Sequence, residues 1–390
     1  MSNIPEIERL SGTMTEWRHD LHAHPEIAFE EIRTSGIVAE KLSGWGLEVH
    51  RGMAKTGVVG VLRGNDGDGP MIGLRADMDA LPMQEENEFA HASTVPGKMH
   101  GCGHDGHTTM LLGAAKFLSE NRDFRGSVAF IFQPAEEGYG GGREMVREGL
   151  FDRFPCETVF GMHNWPELPA GEAAVMDGPM MAATDAVEIV VDGNGGHAAM
   201  PHLSVDSVVV SAHIITALQT LVSRNVDPVD SAVVSICDLH GGVGANNVIP
   251  QSVKMKGSVR TFTPEVRAHL AERVKHVASD VARALGAKAE VTLTQGYPPT
   301  VNSTAEAQLA AGVLGDLLGG EARVHRNLPP CMGGEDFAYM LNERPGAYIW
   351  MGQAGGPSGC MVHNPRYDFN DEILATGASY WAKLVERVLG

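Results

Sequence analysis

The sequence contains few cysteines, the residues whose disulfides stabilise small secreted proteins. Five of its 390 residues are cysteine, an odd number, and they are scattered at positions 102, 156, 237, 331 and 360. Such a set does not suit a disulfide framework and is typical of a protein from a reducing compartment. We therefore expect the protein to be cytoplasmic.

Positive charge is also scarce. Lys and Arg number 30 against 49 Asp and Glu, which gives a formal net charge of −19. A surface of this charge repels phosphate groups and anionic lipid, so we expect neither nucleic acid nor a membrane as a partner. We find no run of the roughly 20 apolar residues that a membrane span needs. The acidic start, MSNIPEIERLSG, does not have the pattern of a signal peptide.

Several catalytic signatures are missing as well. The chain has no HExxH zincin helix, no GxxxxGK[ST] phosphate loop, no CxxC pair and no GxSxG nucleophile elbow. The combined HxE and PCxxC signature of the zinc deaminases is also absent. The chemistry of this protein therefore depends on a less common set of residues.

What the sequence does contain is enough apolar material for a large core. Hydrophobic residues make up 43% of the chain, and 390 residues favour two domains over one. Apolar runs without alternation predict strands that are buried on both faces of a mainly parallel sheet. Periodic segments between them predict helices, so the fold class is an α/β sandwich. The strands are expected at 57–63, 70–82, 126–137, 157–165 and 347–353, and the helices at 6–24, 108–121, 142–149 and the last 20 residues.

The pattern changes between residues 183 and 296. Alternating strands and two long amphipathic helices follow one another there in the order β-α-β-β-α-β. This order is that of a split-βαβ, ferredoxin-like unit. We therefore predict an inserted domain at 183–296, within a larger domain made of residues 1–182 and 297–390.

Metal-binding side chains fall at the ends of the predicted strands of the larger domain. Glu136 and Glu137 end one strand, His163 ends another, and His363 follows the strand 347–353. The segment MHGCGHDGHTTM (99–110) adds Cys102, His104, Asp105 and His107 just before a helix. Ligand sites in open α/β sheets gather at the carboxyl ends of the strands, so we expect these side chains to meet. Thiolate, imidazole and carboxylate together suit Zn²⁺ or a similar first-row ion rather than Mg²⁺ or Ca²⁺.

The adjacent glutamates, Glu136 and Glu137, are predicted to have different roles. Neighbouring side chains of an extended strand point to opposite sides, so one carboxylate can bind metal while the other reaches a water. A bound metal lowers the pKa of water towards about 7. The free carboxylate would act as general base and then pass the proton to a leaving amine.

These residues belong to stretches that resemble a known family. The chain is similar to the metallo-amidohydrolases of peptidase family M20, in the subgroup of hippurate hydrolase and the indole-acetyl-amino-acid hydrolases. The resemblance runs from residue 17 to about 370, and the pairing of CGHDGH with QPAEE is highly specific. The matching stretches are WRHDLHAHPEIAFEE, RADMDALPMQE, HGCGHDGHTTMLLGAA, FIFQPAEEGYGGG, GMHNW, GGHAAMPH, GANNVIP, MGGEDFAYM and VHNPRYDF.

The resemblance implies a role for each matching residue. Two divalent metal ions per subunit (Zn, Mn, Co or Ni) would be bridged by Cys102. His104 and His163 would bind one ion, and Glu137 and His363 the other. Glu136 would be the general base.

The same resemblance implies that the inserted domain mediates dimerisation, as a lid, in a homodimer or dimer-based oligomer. His197 would then stabilise the oxyanion in a neighbouring active site. The wider superfamily has an aspartate as the bridge and a histidine where this chain has Asp77. We therefore do not assign Asp77 as a ligand.

Further residues are predicted to assist. Asp79, Asp105 and, with less support, His107 would orient the ligands. A free amino acid product carries a carboxylate, for which Asn247 and Arg260 are candidate anchors. His22 and His24, two residues apart, do not share a helix face, so we assign them to local structure and give His100 no role.

The predicted function is hydrolysis of N-acyl or N-aroyl amino acids to a carboxylic acid and a free amino acid. Three alternatives remain open. They are a metal-dependent dipeptidase or carboxypeptidase, an aromatic-amine deaminase, and a dimeric binding protein without activity. The intact ligand set and Glu136 argue against the last of these.

Overall fold

The computed structural model describes residues 2–354 and 359–390. Within them the strands are β1 (Glu48–Met53), β2 (Gly57–Arg63), β3 (Met71–Asp77), β4 (Ser127–Gln133), β5 (Cys156–Pro169), β6 (Ala173–Ala174), β7 (Gly178–Met181), β8 (Ala183–Asp192), β9 (Gly196–His197), β10 (Ala232–Gly241), β11 (Val248–Ile249), β12 (Ser252–Thr261), β13 (Lys288–Gln295), β14 (Thr300–Asn302), β15 (Val324–His325) and β16 (Gly346–Ala354).

The helices of the same residues include every helix predicted from the sequence and several more. They are α1 (Pro5–Arg9), α2 (Ser11–Ala23), α3 (Ile32–Gly44), α4 (His104–Glu120), α5 (Gly141–Arg147), α6 (Leu150–Arg153), α7 (Ser207–Asn225), α8 (Pro264–Ala284), α9 (Thr304–Leu318), α10 (Ala338–Glu343) and α11 (Leu374–Leu389).

The chain divides into two compact units. Unit 1 consists of Met1–Met180, Val301–Pro329 and Asp336–Gly390, and unit 2 of Met181–Thr300 and Pro330–Glu335. Each unit has a sheet of its own. The mixed α/β fold with a large, mostly parallel sheet agrees with the fold class expected from the sequence.

The sheet of unit 1 has eight strands in the order β1-β2-β4-β3-β5-β16-β6-β15. Its four central strands, β4, β3, β5 and β16, run parallel to one another. Strands β1 and β2 add an antiparallel edge. Alternate residues of β3, namely Ile72, Leu74 and Ala76, enter a core that also contains side chains of α1 to α4, α9 and α11.

The register of these strands determines where the polar side chains lie. Arg75 of β3 pairs with Ile131 of β4 and with Gly161 of β5. Two residues further along each strand are Asp77, Gln133 and His163, which therefore lie at one level at the carboxyl edge of β3 and β4.

Three boundaries differ from those predicted, and each one affects the candidate site. Helix α4 begins at His104 rather than near residue 108, because the left-handed Gly103 (φ 95°) starts it earlier. Strand β4 ends at Gln133, so Glu136 and Glu137 lie in a turn rather than in an extended strand end. Strand β5 continues to Pro169, beyond the predicted end at residue 165, so His163 lies within the strand rather than at its end.

Unit 2 contains the sequence β8-α7-β10-β12-α8-β13 and an antiparallel sheet in the order β10-β12-β8-β13. This is the split-βαβ arrangement that the sequence pattern predicts. Both helices pack on the sheet and on each other. The core between them includes Val187, Ile189, Ile214, Leu218 and Leu270.

Helix α7 is the one helix of the described residues that is long and apolar enough to cross a membrane. An 18-residue window of its 19 residues has a mean hydropathy of 1.2, in spite of the interspersed Ser, Thr, His and Gln. Its buried side chains, among them Val210, Ile214, Leu218 and Leu221, pack in the core of unit 2. A core helix of a globular domain has the same properties.

Candidate metal centre

The candidate site of unit 1 is built around the start of helix α4. Gly103 precedes the helix with φ 95°, and a Cβ at this position would lie 2.2 Å from Asn164 Oδ1 and 2.7 Å from Tyr367 Oη. Only glycine fits there, both for its backbone conformation and for lack of space. It allows Cys102 and His104, on either side of it, to approach β5.

Two groups of candidate ligand atoms overlap at Cys102. In each group, all ligand atoms lie within 4.8 Å of one another. The first group is Cys102, His104 and His163, and the second is Cys102, Glu137 and His363. His363 reaches the site because its backbone N–H donates to the carbonyl of Gly101 (2.7 Å). The structure therefore brings together the five residues that the sequence analysis selected as ligands.

The two buried histidines of this cluster are oriented by backbone carbonyls. His104 Nδ1 lies 2.9 Å from the carbonyl oxygen of Asp79, and His163 Nδ1 lies 2.7 Å from that of Asn164. A carbonyl oxygen can only accept, so each Nδ1 carries the hydrogen and each Nε2 keeps its lone pair in the neutral ring. His163 Nε2 faces Cys102 Sγ at 3.3 Å. Both rings are thus prepared to bind a cation through Nε2.

Negative charge dominates the electrostatics of the cluster. Burial raises the pKa of the Cys102 thiol well above its ordinary value, and the carboxylates of Glu137, Glu136 and Asp77 raise it further. Burial lowers the pKa of His104, but Asp77 and Asp79 more than offset this and raise it to about 10. The pKa of His163 is well below its usual range because of burial and the neighbouring His107. A positive charge is therefore favoured beside His104, whether from a proton or from a metal ion, whereas His163 stays neutral.

The donor set fits a metal ion. His104 Nε2 is buried and has no hydrogen-bond partner among the described residues, which is unusual for a buried nitrogen. Sulfur, imidazole and carboxylate donors suit first-row ions. Another group, Asp77, His104 and His107, is also close enough to bind an ion. However, the guanidinium of Arg75 lies 2.7 Å from Asp77 Oδ2 and already neutralises it.

Comparison with known proteins agrees with this site. Residues 73–387 match the profile of peptidase family M20/M25/M40. The chain belongs to peptidase family M20. It is 41% identical to the hippurate hydrolase of Campylobacter jejuni, with all of both chains covered. It is 40% identical to the IAA-amino acid hydrolase ILR1-like 4 of Arabidopsis thaliana, covering 95% of this chain and 84% of the relative.

A solved structure extends the M20 likeness to three dimensions. A Bacillus subtilis protein described as a dinuclear metal binding peptidase of the M20 family superimposes with a TM-score of 0.83. The two sequences are 35% identical, and the alignment covers 97% of this chain and 98% of the other. The family resemblance inferred from the sequence is thereby confirmed.

Asp79 organises the glutamate pair of this M20 chain. Its Oδ1 accepts from the backbone N–H of Glu136 and its Oδ2 from that of Glu137, both at 3.0 Å. Asp79 is only 1% exposed. The same residue holds His104 through its carbonyl oxygen. Asp79 therefore orients three residues of the site, as the sequence analysis expected in outline.

Glu136 and Glu137 have different surroundings. Glu136 is 8% exposed and accepts a hydrogen bond from the backbone N–H of Asp336 (3.3 Å). Glu137 is half-buried and its Oε1 lies 3.2 Å from His363 Nε2. Both residues lie in a turn that follows the left-handed Ala135 (φ 56°), and their carboxylates form a further group of candidate ligand atoms with His104, so strand alternation does not separate them.

A buried network of charged side chains contacts Asp105 in the first turn of α4. Asp105 Oδ2 accepts from His22 Nδ1 (2.8 Å) and lies 3.6 Å from Arg18 Nη1. Arg18 also donates to Asp368 and Asp371, at 2.7 Å each. The predicted supporting role of Asp105 therefore has a structural partner in His22. Sequence reasoning missed Arg18 and wrongly assigned His22 to local structure, because the partners of both are distant in the chain.

His107 lies in a second chain of hydrogen bonds. Its Nδ1 is 2.6 Å from Asp77 Oδ1, and its Nε2 is 2.6 Å from Asn164 Oδ1. Asn164 also donates to the hydroxyl of Tyr367 (2.8 Å). His107 thus braces β3 and β5 beside the ligands. His100, for which we predicted no role, is buried, and burial lowers its pKa to about 4.

The remaining candidates belong to unit 2. His197 is exposed, and its Nδ1 accepts a hydrogen bond from the N–H of Ala199 (3.1 Å). The backbone carbonyl of Asn247 accepts one from the N–H of Ala198 (3.0 Å). His197 and Asn247 line one open cavity of about 650 Å³. Arg260 is half-buried on β12 between Thr184 and Val233. Its side chain makes no hydrogen bond or ion pair with any described residue.

Proposed function

We propose that this M20 protein is a dinuclear metal-dependent amidohydrolase that cleaves N-acyl or N-aroyl amino acids. The observation that carries the proposal is the position of Cys102, which is shared by two groups of ligand atoms beside a further carboxylate, Glu136. The relatives named for hydrolysis of hippurate and of IAA-amino acids support the substrate class.

In this proposal Cys102 would be shared by two ions. His104 and His163 would hold one ion with it, and Glu137 and His363 the other, with Zn, Mn, Co or Ni as the candidate metals. When bound, such ions polarise a carbonyl oxygen and lower the pKa of a coordinated water. The Nε2 lone pairs of both buried histidines in their neutral form and the shared thiol support this assignment.

Glu136 is the proposed general base. Its carboxylate takes a proton from the attacking water and passes that proton to the nitrogen of the scissile amide, which leaves as a free amine. Its backbone is fixed by Asp79, so the carboxylate is held without being needed as a ligand. Glu137, fixed by the same aspartate, then stays available to bind metal.

Unit 2 is the proposed source of the remaining contacts, and the proposed dimerisation domain of a homodimer. Because His197 Nδ1 accepts a hydrogen bond, the neutral ring carries its hydrogen on Nε2 and can donate it to an oxyanion. The unpaired guanidinium of Arg260, with Asn247 as the second candidate, would anchor the carboxylate of the amino acid. We further propose a cytoplasmic location, since none of the five cysteines forms a disulfide.

The test is release of amine from a panel of hippurate, N-acetyl amino acids, indole-acetyl amino acids and dipeptides. The purified protein is loaded in turn with Zn²⁺, Mn²⁺, Co²⁺ and Ni²⁺. We expect cleavage of one acyl class, and its loss on addition of a chelator. Cleavage of dipeptides alone would make the protein a peptidase. No cleavage with metal demonstrably bound would refute the amidohydrolase and favour a deaminase or a binding protein.

A further inference from the structure

The carboxylate of Glu31 is buried next to Ala135, directly before the Glu136–Glu137 pair, and the proposed reaction does not use it. Glu31 has no exposed surface. Its Oε1 accepts from the backbone N–H of Ala135 (2.9 Å) and of Phe29 (3.1 Å), and its Oε2 accepts from the hydroxyl of Thr56 (2.5 Å). Three donors thus converge on one carboxylate, which belongs to the residue directly before α3.

The residue that Glu31 holds has an unusual backbone. Ala135 is fully buried and has φ 56°, a conformation in which the Cβ of a non-glycine residue is crowded. Such a conformation persists only where the surroundings enforce it. The N–H of Ala135 donates to Glu31, and its carbonyl accepts from the N–H of Gly141 (3.0 Å). Both polar groups of the strained residue are therefore fixed.

Glu31 and Asp79 act on consecutive residues. Glu31 holds the amide of Ala135, and Asp79 holds the next two, those of Glu136 and Glu137. Burial raises the pKa of Glu31 to about 7; the hydroxyl of Thr56 lowers it, and the charge of Asp79 raises it. Burial thus makes the charged form of Glu31 unfavourable. This carboxylate nevertheless holds the amide of Ala135, the residue directly before the proposed base Glu136.

We infer that Glu31 is a positioning residue for the Glu136–Glu137 pair. It acts through the backbone of Ala135, by holding the left-handed residue that leads into the turn of Glu136 and Glu137. The inference rests on the proposed function in one respect, namely that Glu136 is the base and Glu137 a ligand. It predicts that Glu31 affects turnover and metal geometry rather than substrate binding.

The experiment compares three substitutions at Glu31 with a matched control. Glu31→Gln keeps an oxygen that can accept from Ala135, Glu31→Asp keeps the charge but shortens the reach, and Glu31→Ala removes both. The control is Glu26→Ala. The Glu26 carboxylate accepts from two backbone amides at the start of α3, those of Arg33 (3.0 Å) and Thr34 (2.8 Å), and neither contact involves Ala135.

Two readouts are measured on the metal-loaded protein. The first is kcat and KM for the best substrate of the panel. The second is the affinity for Co²⁺ and its visible absorption spectrum, which depends on the ligand geometry and needs no turnover. Loss of a residue that supports a ligand typically costs about 10- to 100-fold in activity or metal affinity.

We expect Glu31→Ala and Glu31→Asp to lower kcat at least about tenfold, with KM nearly unchanged, and to alter the Co²⁺ spectrum. Glu31→Gln should retain most of the activity, and Glu26→Ala should resemble the wild type in both readouts. Should Glu31→Ala fail to fold by circular dichroism, the contrast between Glu31→Asp and Glu31→Gln decides the question.

Wild-type kcat and spectrum in Glu31→Asp and Glu31→Ala would overturn the inference, as would equal losses in Glu26→Ala. The proposed function fails separately, if the wild type cleaves no member of the panel. In that case the Co²⁺ readout alone decides: a change at Glu31 but not at Glu26 supports the positioning role, and no change refutes it.

Discussion

At the scale of single residues, the proposed function gives two adjacent glutamates different roles. Their backbone amides share one aspartate, Asp79, yet Glu136 is nearly buried and Glu137 lies beside His363. The left-handed Ala135 leads directly into the turn that carries both residues. Identical side chains can therefore act differently because the turn gives them different surroundings.

We expect Glu136→Gln to keep its metal but to lose at least about 100-fold in kcat, since the amide cannot accept the proton of the attacking water. Metal content by elemental analysis and turnover on the best substrate provide the measurement. The control is Glu137→Gln, which should lose metal. Unchanged turnover in Glu136→Gln would show that another group is the base.

Cys102→Ser should lower metal occupancy, because a hydroxyl replaces the thiolate that both ligand groups share. The buried thiol ionises only with difficulty among carboxylates, so a metal ion is what stabilises its charged form. Elemental analysis after dialysis against limiting metal measures the effect. Cys156→Ser is a suitable control, since Cys156 is a buried thiol that belongs to none of these groups. Two ions retained in Cys102→Ser would contradict the bridging role.

Much of the residue-level site could be predicted from the sequence. CGHDGH and QPAEE indicated four of the proposed site residues, Cys102, His104, Glu136 and Glu137, because they are close together within short motifs. Arg18 and Glu31 could not be found in that way. Arg18 contacts Asp368, 350 positions away, and Glu31 contacts Ala135, 104 positions away. Only the folded chain brings such partners together.

At the scale of elements, three pieces of chain meet around Arg18. It lies on α2, Asp105 is in the first turn of α4, and Asp368 and Asp371 precede α11. His22, one turn further along α2, is held between Asp105 and Glu85. The network fixes the start of α4, and hence His104, to the N-terminal and C-terminal parts of unit 1.

This network predicts a dependence of stability on pH. Burial lowers the pKa of His22, but Asp105 and Glu85 raise it to about 9, above its ordinary value of 6.5. A raised pKa means that protonated His22 stabilises the fold fully below pH 6.5 and loses that effect as the pH rises to about 9. Since a tenfold change in proton affinity corresponds to about 1.4 kcal/mol, the contribution of His22 to the free energy of unfolding is at most about 3 kcal/mol.

We therefore expect the free energy of unfolding of the wild type to fall between pH 6.5 and 9 more steeply than that of His22→Gln. Urea unfolding of both proteins in excess chelator measures the difference, since the chelator removes the pH dependence of metal binding. His24→Gln, whose side chain is partly exposed on the same helix end, is the control. Parallel curves for the wild type and His22→Gln would assign the dependence to other groups.

Element boundaries were predicted less well than element types. The long helix near residue 108 and the central strands were confirmed, but α3 and β1 were not predicted at all. The predicted helix over residues 6–24 is divided at Leu10 into α1 and α2, just before Ser11 and Gly12, which have low helix propensity. The early start of α4 requires Gly103 in a left-handed conformation, and a periodicity analysis does not detect that.

At the scale of the whole molecule, the proposed reaction draws on both units. The ligands and Glu136 belong to unit 1, whereas His197, Asn247 and Arg260 belong to unit 2. The inserted pattern β-α-β-β-α-β was visible in the sequence because its strands alternate and its helices are amphipathic. The assignment of dimerisation to this unit stays a prediction.

If His197 acts in the active site of a partner copy, two inactive variants should complement each other. Glu136→Gln and His197→Ala homodimers would each be inactive. A mixed dimer would contain one site with both native residues, so mixing the chains under conditions of subunit exchange should restore up to about a quarter of wild-type activity. Activity that stays at the level of the separate variants would place His197 and Glu136 in the same chain's site, or deny His197 a role.

The order of the strands in unit 1 has a consequence for synthesis of the protein. Strand β5 pairs with β16, which is made only after the whole of unit 2. The nascent chain therefore carries an open strand edge while unit 2 is being translated. A chain ended after residue 345 should aggregate where the full chain does not, as light scattering at equal concentration would reveal. His363 emerges later still, so a growing chain on the ribosome cannot hold its full set of proposed metal ligands until residue 363 has been made.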